Sequence, residues 1–104
     1  MFCVGDGVKD HVYLSGLYDV YSDLLTEKQK QYFVDYYFEN FSLQEISENH
    51  DVSRSAVHKQ LKEATDKLCE LEKKLALFRK REKILMKITD EELKKVIIDI
   101  FEEE

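Results

Sequence analysis

The chain has 104 residues, a hydrophobic content of 43% and a formal net charge of −6. Its length and apolar content suffice for one hydrophobic core, and six Tyr and six Phe argue against a disordered chain. There is no proline, and the three glycines all lie within the first sixteen residues, which excludes a β-rich fold because short strands need turn residues between them. We therefore expect an all-α protein.

The chain shows no targeting or membrane signal. No run approaches the roughly 20 apolar residues of a membrane span, and the first residues lack the basic and apolar regions of a signal peptide. Cys3 and Cys69 are far apart in sequence, which favours free thiols in a reducing compartment over a disulfide framework. The predicted location is the cytoplasm.

The first helices can be placed from apolar spacing and capping residues. Residues 1–9 are interpreted as a flexible leader and residues 10–104 as a single all-α domain. Apolar residues recur at helical spacing over 10–25, which predicts the first helix. Thr26 followed three residues later by Gln29 is a capping box, which predicts the start of a second helix there.

The next stretch has the spacing of a helix-turn-helix. Ser42 and Glu45 form a second capping box, which predicts a short third helix ending near residue 50. Asp51 then falls where such turns need a residue with positive φ, a conformation that Asp tolerates better than most residues. Ser53 is the predicted N-cap of a fourth helix. The predicted helix-turn-helix core spans residues 26–68.

The fourth helix has no stop signal before Lys87, so a long helix with an extension over 69–87 is predicted. Its apolar residues follow a heptad pattern, which predicts a seam for a homodimer. The alternative is that the terminal helices of the same chain cover this seam. The candidate seam residues are Leu61, Leu68, Leu71, Leu75 and Phe78.

A C-terminal helix is predicted over residues 90–102. Thr89 and Glu92 have the spacing of a third capping box. Apolar residues recur on one side of this helix, which predicts a buried stripe. The stripe consists of Leu93, Val96, Ile97, Ile100 and Phe101.

The start of the fourth helix has one apolar and one polar face. If Val57 points inward, Leu61 and Ala64 point the same way, at about 100° of rotation per residue. The opposite face is polar and basic, and the window from Ser53 to Lys62 contains no acid, as a helix that reads a nucleic-acid groove requires. The candidate nucleic-acid-binding residues are Ser53, Arg54, Ser55, His58, Lys59 and Lys62. A purely structural helix corner is the alternative.

Charge is distributed unevenly along the sequence. The net charge is −6 over residues 1–50, +5 over 51–88 and −5 over 89–104, so acidic ends flank a basic middle. A basic run lies within 73–83, and it is either a second phosphate-binding surface or the solvated flank of a coiled coil. The six tyrosines offer either stacking platforms for bases or core packing, and packing is the preferred interpretation.

Residues 24–68, "LLTEKQKQYFVDYYFENFSLQEISENHDVSRSAVHKQLKEATDKL", carry a family resemblance. They resemble region 4 of bacterial sigma factors, and still more the YlxM family of small proteins linked to the signal recognition particle. "LYDVYSDLL" before them and "LEKKLALFRKREKI" after them also fit that family. Matches to the family pattern around the turn are Leu43, Glu45, Ile46, Val52, Ser53, Arg54, Ala56 and Val57, whereas Ser47 and Asp51 depart from it.

This resemblance implies a helix-turn-helix fold of the sigma region 4 type, within the winged-helix superfamily but without a wing. It also implies a link to protein targeting by the signal recognition particle. We found no motif for catalysis, a cofactor or a metal, so a non-enzymatic protein is predicted. Two functions remain open: a regulator that binds DNA or the particle's RNA, and a module that docks only a protein of the targeting machinery.

Overall fold

The computed structural model describes residues 7–102, with side chains from His11 onward. Within this range it contains a 3₁₀ turn at Ser22–Leu24, a π-helical turn at Val34–Phe38 that continues the second helix, and no β-strand. The α-helices of this range are α1 (Gly7–Tyr21), α2 (Glu27–Phe33), α3 (Leu43–His50), α4 (Arg54–Leu75), α5 (Leu77–Lys87) and α6 (Glu91–Glu102). The prediction of an all-α fold is confirmed.

The two predicted capping boxes at the starts of α2 and α3 are present. The Thr26 hydroxyl accepts a hydrogen bond from Gln29 N at 3.1 Å, and the Gln29 side chain accepts one from Thr26 N at 3.1 Å. Ser42 and Glu45 make the same reciprocal pair, at 3.0 and 2.9 Å. These bonds satisfy amide groups that a helix start leaves without an intrahelical partner, which fixes where each helix begins.

The core lies between the first four helices, with α4 in contact with α1, α2 and α3. Side chains from all four interlock there, and two aromatic rings stack in parallel, Tyr18 on Phe33, with centroids 4.6 Å apart. Fully or almost fully buried apolar residues are Leu14, Leu17, Tyr21, Leu25, Tyr32, Phe33, Tyr37, Ile46, Val57, Leu61, Ala64 and Leu68. Half-buried Tyr13, Tyr18 and Tyr36 pack against this core, so all six tyrosines contribute to packing as expected.

The prediction of one helix running on to Lys87 is wrong. Helix α4 ends at Leu75, and Ala76 adopts a left-handed conformation with φ of 54° and ψ of 31°. An alanine in this region is uncommon and costs roughly 1–2 kcal/mol, so neighbouring groups must hold the bend in place.

The groups that hold the bend are buried side chains from α1 and α4. The Glu72 carboxylate accepts hydrogen bonds from Phe78 N and Arg79 N, each at 3.1 Å. The Tyr21 hydroxyl accepts one from Leu77 N at 3.0 Å. Three amide groups at the start of α5 are thereby satisfied without a local N-cap side chain, which explains why no stop signal is visible in the sequence around residue 76.

The predicted dimer seam lies largely inside the chain. Leu61 and Leu68 have no exposed surface, because α1, α2 and α3 cover this side of α4. Leu71 and Phe78 are half-buried and pack against the core, and only Leu75 is exposed, at 45%. The prediction that Leu61 and Leu68 pair between two chains is therefore wrong: both are covered within one chain, although by α1, α2 and α3 and not by the terminal helices alone.

The two ends of the chain also differ from prediction. Helix α1 already begins at Gly7, so residues 7–9 are helical, while the rest of the predicted leader lies outside the described residues. At the other end, the N-cap of α6 is Asp90, one residue later than the predicted Thr89. The Asp90 carboxylate accepts a hydrogen bond from Glu92 N at 2.8 Å. No described residue of α6 is buried, so the predicted buried stripe is wrong.

Cys69 takes part in a disulfide bond, so the expectation of a free thiol is wrong for this residue. Cys3 lies outside the described part of the chain. Among the described helices, none is both long and apolar enough to cross a membrane.

Candidate nucleic-acid interface

Helices α3 and α4 are joined by a three-residue turn with defined geometry. Asp51 adopts the predicted left-handed conformation, with φ of 55° and ψ of 47°. Val52 N donates to Ser47 O at 3.0 Å, which closes the end of α3. The Ser53 hydroxyl then accepts from Ala56 N at 3.1 Å and starts α4, as the sequence predicts.

Buried contacts fix α4 against α3 and the rest of the core. Ile46 on α3 and Val57 on α4 both have no exposed surface, and Leu61 and Ala64 follow one and two turns further along α4. The predicted inward face is therefore confirmed. Since these contacts are fully buried, the opposite face of the first turns of α4 has one fixed orientation toward solvent.

The outward face brings together most of the candidate residues. Arg54, Ser55 and His58 are exposed, and with Leu43 of α3 they line a shallow depression of about 420 Å³ between the two helices. The Ser53 and Ser55 hydroxyls are 3.2 Å apart, so Ser55 borders the cap of the helix. This depression has a hydroxyl-lined and cationic wall at a helix N-terminus, a place where free amide groups and the helix dipole favour an anion.

The two lysines of the set differ in their surroundings. Lys59 is exposed, and within residues 11–102 it makes no ion pair. Lys62 is half-exposed and lies 2.9 Å from Asp66 Oδ2, one turn further along α4. Because this pair partly neutralises the Lys62 charge, Arg54 and Lys59 are the stronger candidates for phosphate contacts.

The neighbouring helix α3 carries the opposite charge. Its sequence contains Glu45 and Glu48 and no Lys or Arg. Glu45 is held in the capping box, and Glu48 accepts from the Gln44 amide at 3.1 Å. A phosphate backbone crossing α3 would meet these carboxylates. The cationic surface therefore does not extend onto α3 and is confined to α4 and the side of α4 that faces away from α3.

A partly buried side-chain contact that was not predicted from the sequence anchors the helix-turn-helix to the π-helical turn after α2. The His50 Nε2 atom at the end of α3 lies 2.9 Å from Asp35 Oδ2, and Asp35 is buried. The Gln31 amide donates to the other Asp35 oxygen at 2.9 Å, and Tyr32 packs edge-on against the His50 ring. In the sequence, Asp35 stands within a run of apolar and aromatic residues. A carboxylate at such a position was the available sign of a buried polar contact.

The basic run within 73–83 does not form one uniform surface. Lys73, Lys74, Arg79, Lys80 and Lys83 are exposed. Arg81 instead has only 11% of its side chain exposed, since it lies over the Phe78 ring and 3.4 Å from a Glu82 oxygen. Second phosphate contact and solvated flank both stay predictions for this run.

The capped α3, the three-residue turn with its left-handed Asp51, and the buried Val57 beneath a polar outer face together define a helix-turn-helix protein. A family model described as "UPF0122: Putative helix-turn-helix protein, YlxM / p13 like" matches residues 8–103. The chain belongs to this family.

Relatives from several bacteria support the assignment. A UPF0122 protein of Caldanaerobacter subterraneus subsp. tengcongensis is 44% identical over 79 residues, which are 76% of this chain and 68% of the relative. One of Thermoanaerobacter sp. is 41% identical over 95 residues, covering 91% of this chain and 80% of the relative. One of Anoxybacillus flavithermus is 40% identical, covering 81% and 87%. The predicted resemblance to the YlxM family is confirmed.

Proposed function

We propose that this chain is a non-enzymatic, cytoplasmic regulatory protein that binds nucleic acid through the start of α4 and takes part in the signal recognition particle pathway. Its ligand is DNA or the RNA of that particle. The residues in contact are Ser53, Arg54, Ser55, His58, Lys59 and Lys62.

One observation carries the proposal: the outward face of the first two turns of α4 is polar, cationic and acid-free over Ser53–Lys62, while its inward face is fully buried. A recognition helix needs both properties, since the buried face sets its angle and the polar face enters the groove. Phosphate responds to charge within about 8–10 Å at physiological salt, so the net charge of −6 does not prevent local binding.

The link to protein targeting comes from the family alone. The YlxM resemblance implies an association with the signal recognition particle, and the geometry of α4 is compatible with either duplex DNA or structured RNA. The choice between the two ligands therefore needs a direct comparison.

The experiment measures fluorescence anisotropy of labelled duplex DNA and of the particle's RNA, each across a salt series. For the variant Arg54→Ala/Lys59→Ala we expect weaker binding, and a drop of about two in the slope of log K against log salt if each residue contacts one phosphate. The matched control Lys28→Ala/Lys95→Ala removes two positive charges at exposed sites on α2 and α6. Equal losses in both variants would remove the assignment of this face.

A second function is favoured by a different observation. Helix α3 is acidic and several large apolar side chains of α5 and α6 are exposed, which suits a module that docks a protein of the targeting machinery without nucleic acid. If the chain is such a protein-docking module, it binds neither duplex DNA nor the particle's RNA, even at low salt.

The proposal also includes a homodimer. Because Leu61 and Leu68 are buried within one chain, the contact between chains must use other residues.

A further inference from the structure

The exposed apolar residues of the described chain concentrate in its C-terminal part. Leu77 and Ile84 on α5 are 39% and 41% exposed, and Leu93, Val96 and Ile100 on α6 are 53%, 53% and 59% exposed. Exposed apolar residues that recur on one side of a helix mark an interaction site when they form a patch, since scattered single ones are ordinary. Helix α5 packs on α1 and α4, and α6 packs on α1. Even so, none of the described residues of α5 or α6 is buried.

On α5 the exposed apolar residues form a stripe with a basic border. At about 100° per residue, Leu77 and Ile84 share one direction, with the half-buried Phe78 and Leu85 on one side of it. The other side of the stripe carries only positive charge, from Lys80, Lys83 and Lys87.

On α6 the same arrangement occurs with the opposite charge. Leu93, Val96 and Ile100 fall within about 60° of one another, with the half-buried Ile97 and Phe101 on one side. The other side carries Glu92 and Asp99. Glu92 and Asp99 are seven residues apart, as are Lys80 and Lys87, so the two borders have the same repeat along the helix axis.

None of these border charges is neutralised within residues 11–102. The ion pairs of α5 and α6 in that range are Arg81 with Glu82 and Lys94 with Glu91. Helices of 11 and 12 residues have nearly the same length, about 17 Å. Within that range each stripe therefore has an apolar centre and an unpaired charged border, and the border of the other stripe carries the complementary charge.

We propose that these two stripes bind a second copy of this chain, with α5 of each copy along α6 of the other. Such a two-fold contact uses the same surface on both chains, so each interface contains an apolar centre and a rim of lysines opposite carboxylates. Because each stripe runs along a helix of only 11 or 12 residues, we expect a small contact, near the lower limit of about 1,200 Å² for specific interfaces, and dissociation in the micromolar range.

This inference rests on the homodimer in the proposed function but not on nucleic-acid binding. The experiment measures mass by sedimentation equilibrium from low to high micromolar concentration at low salt. For the wild-type chain we expect twice the 12.4 kDa of one chain at the upper end. A wild-type chain that stays monomeric throughout would overturn the homodimer, and the two stripes would then bind a different partner.

Two charge-swap variants test the surface itself. Lys80→Glu/Lys87→Glu and Glu92→Lys/Asp99→Lys should each be monomeric, because each places like charges opposite one another in both interfaces. An equimolar mixture of the two should dimerise again, since both interfaces of the mixed pair then have opposite charges. The control Lys28→Glu/Glu39→Lys changes one exposed residue of α2 and one just after the π turn, and it should leave the dimer unchanged.

The outcomes separate the two claims. A dimer that persists in both charge-swap variants, or a mixture that fails to restore it, would overturn the α5–α6 surface while leaving the homodimer in place. Helical content by circular dichroism distinguishes loss of the dimer from loss of the fold. The α4 face is tested separately, by nucleic-acid binding of the Arg54→Ala/Lys59→Ala variant.

Discussion

The Tyr21 hydroxyl donates a hydrogen bond of 2.7 Å to Glu72 Oε1, between α1 and α4, and both side chains are almost completely buried. The same two side chains also accept hydrogen bonds from three backbone N–H groups at the start of α5. One buried carboxylate and one hydroxyl therefore join three helices and set the bend at Ala76.

We predict that Glu72→Gln lowers the free energy of unfolding by about 2 kcal/mol. An amide has only one acceptor oxygen, so one of the three donors that now bind the carboxylate is left without a partner. Urea unfolding followed by circular dichroism measures the change. Glu70→Gln, at an exposed site two residues away, is the control and should stay within about 0.5 kcal/mol of wild type. An equal loss in both variants would contradict the capping role of Glu72.

The pH dependence of stability should report on Tyr21. Burial, followed by the hydrogen bond to Glu72, raises the pKa of Tyr21 from 10.0 to about 12. The unfolded chain thus loses this proton first, so stability is retained below pH 10 and falls by about 2–3 kcal/mol as pH rises to about 12. Unfolding in urea at a series of alkaline pH values tests this. In the Tyr21→Phe variant this part of the decrease in the free energy of unfolding should be absent. If the variant and the wild type show the same dependence on pH, Tyr21 is not its cause.

Gly16 should resist the usual stabilising replacement in a helix. Gly→Ala in a helix interior normally gains about 0.5–1 kcal/mol. A Cβ added at Gly16 would overlap the Phe78 ring, so we expect Gly16→Ala to be destabilising instead. A double-mutant cycle with Phe78→Leu is the check. Additive changes in the free energy of unfolding would mean that α1 and α5 are not in this close contact.

Asp66 should limit nucleic-acid affinity through its ion pair with Lys62. Asp66→Asn removes the partner 2.9 Å from Lys62 Nζ, so the lysine becomes available to phosphate, and we expect tighter binding with a salt slope steeper by up to about one. Fluorescence anisotropy with the preferred nucleic acid measures both. Glu39→Gln changes the net charge equally at a remote exposed site. If both variants gain the same amount, the effect is one of overall charge.

The local signals in this sequence predicted local structure well. The caps at Thr26, Ser42 and Ser53 and the left-handed Asp51 depend on residues within a few positions of one another, so the sequence contains all the information needed. The candidate residues of α4 followed from this, since the caps and the buried Val57 fix which face points outward.

Apart from the one-residue error at the cap of α6, what failed depends on groups distant in sequence. The bend at Ala76 is stabilised by Tyr21, 56 residues before Leu77, and no local pattern could reveal that. Glu72 falls on the inward face of α4, and a charge at that position was the one available sign of a buried polar role. The apolar stripe of α6 has the same periodicity whether the chain itself or a second chain covers it, so periodicity alone could not decide its exposure.

The position of α1 has a consequence for the order in which the fold assembles. Helix α1 stacks Tyr18 on Phe33 of α2, but it also packs on α4, α5 and α6, which lie far from it in sequence. The contacts that join α2, α3 and the start of α4 close short loops, whereas those of α1 with the later helices close long ones. The helix-turn-helix can therefore form first, and α1 docks on it once α4 and the helices after it are in place.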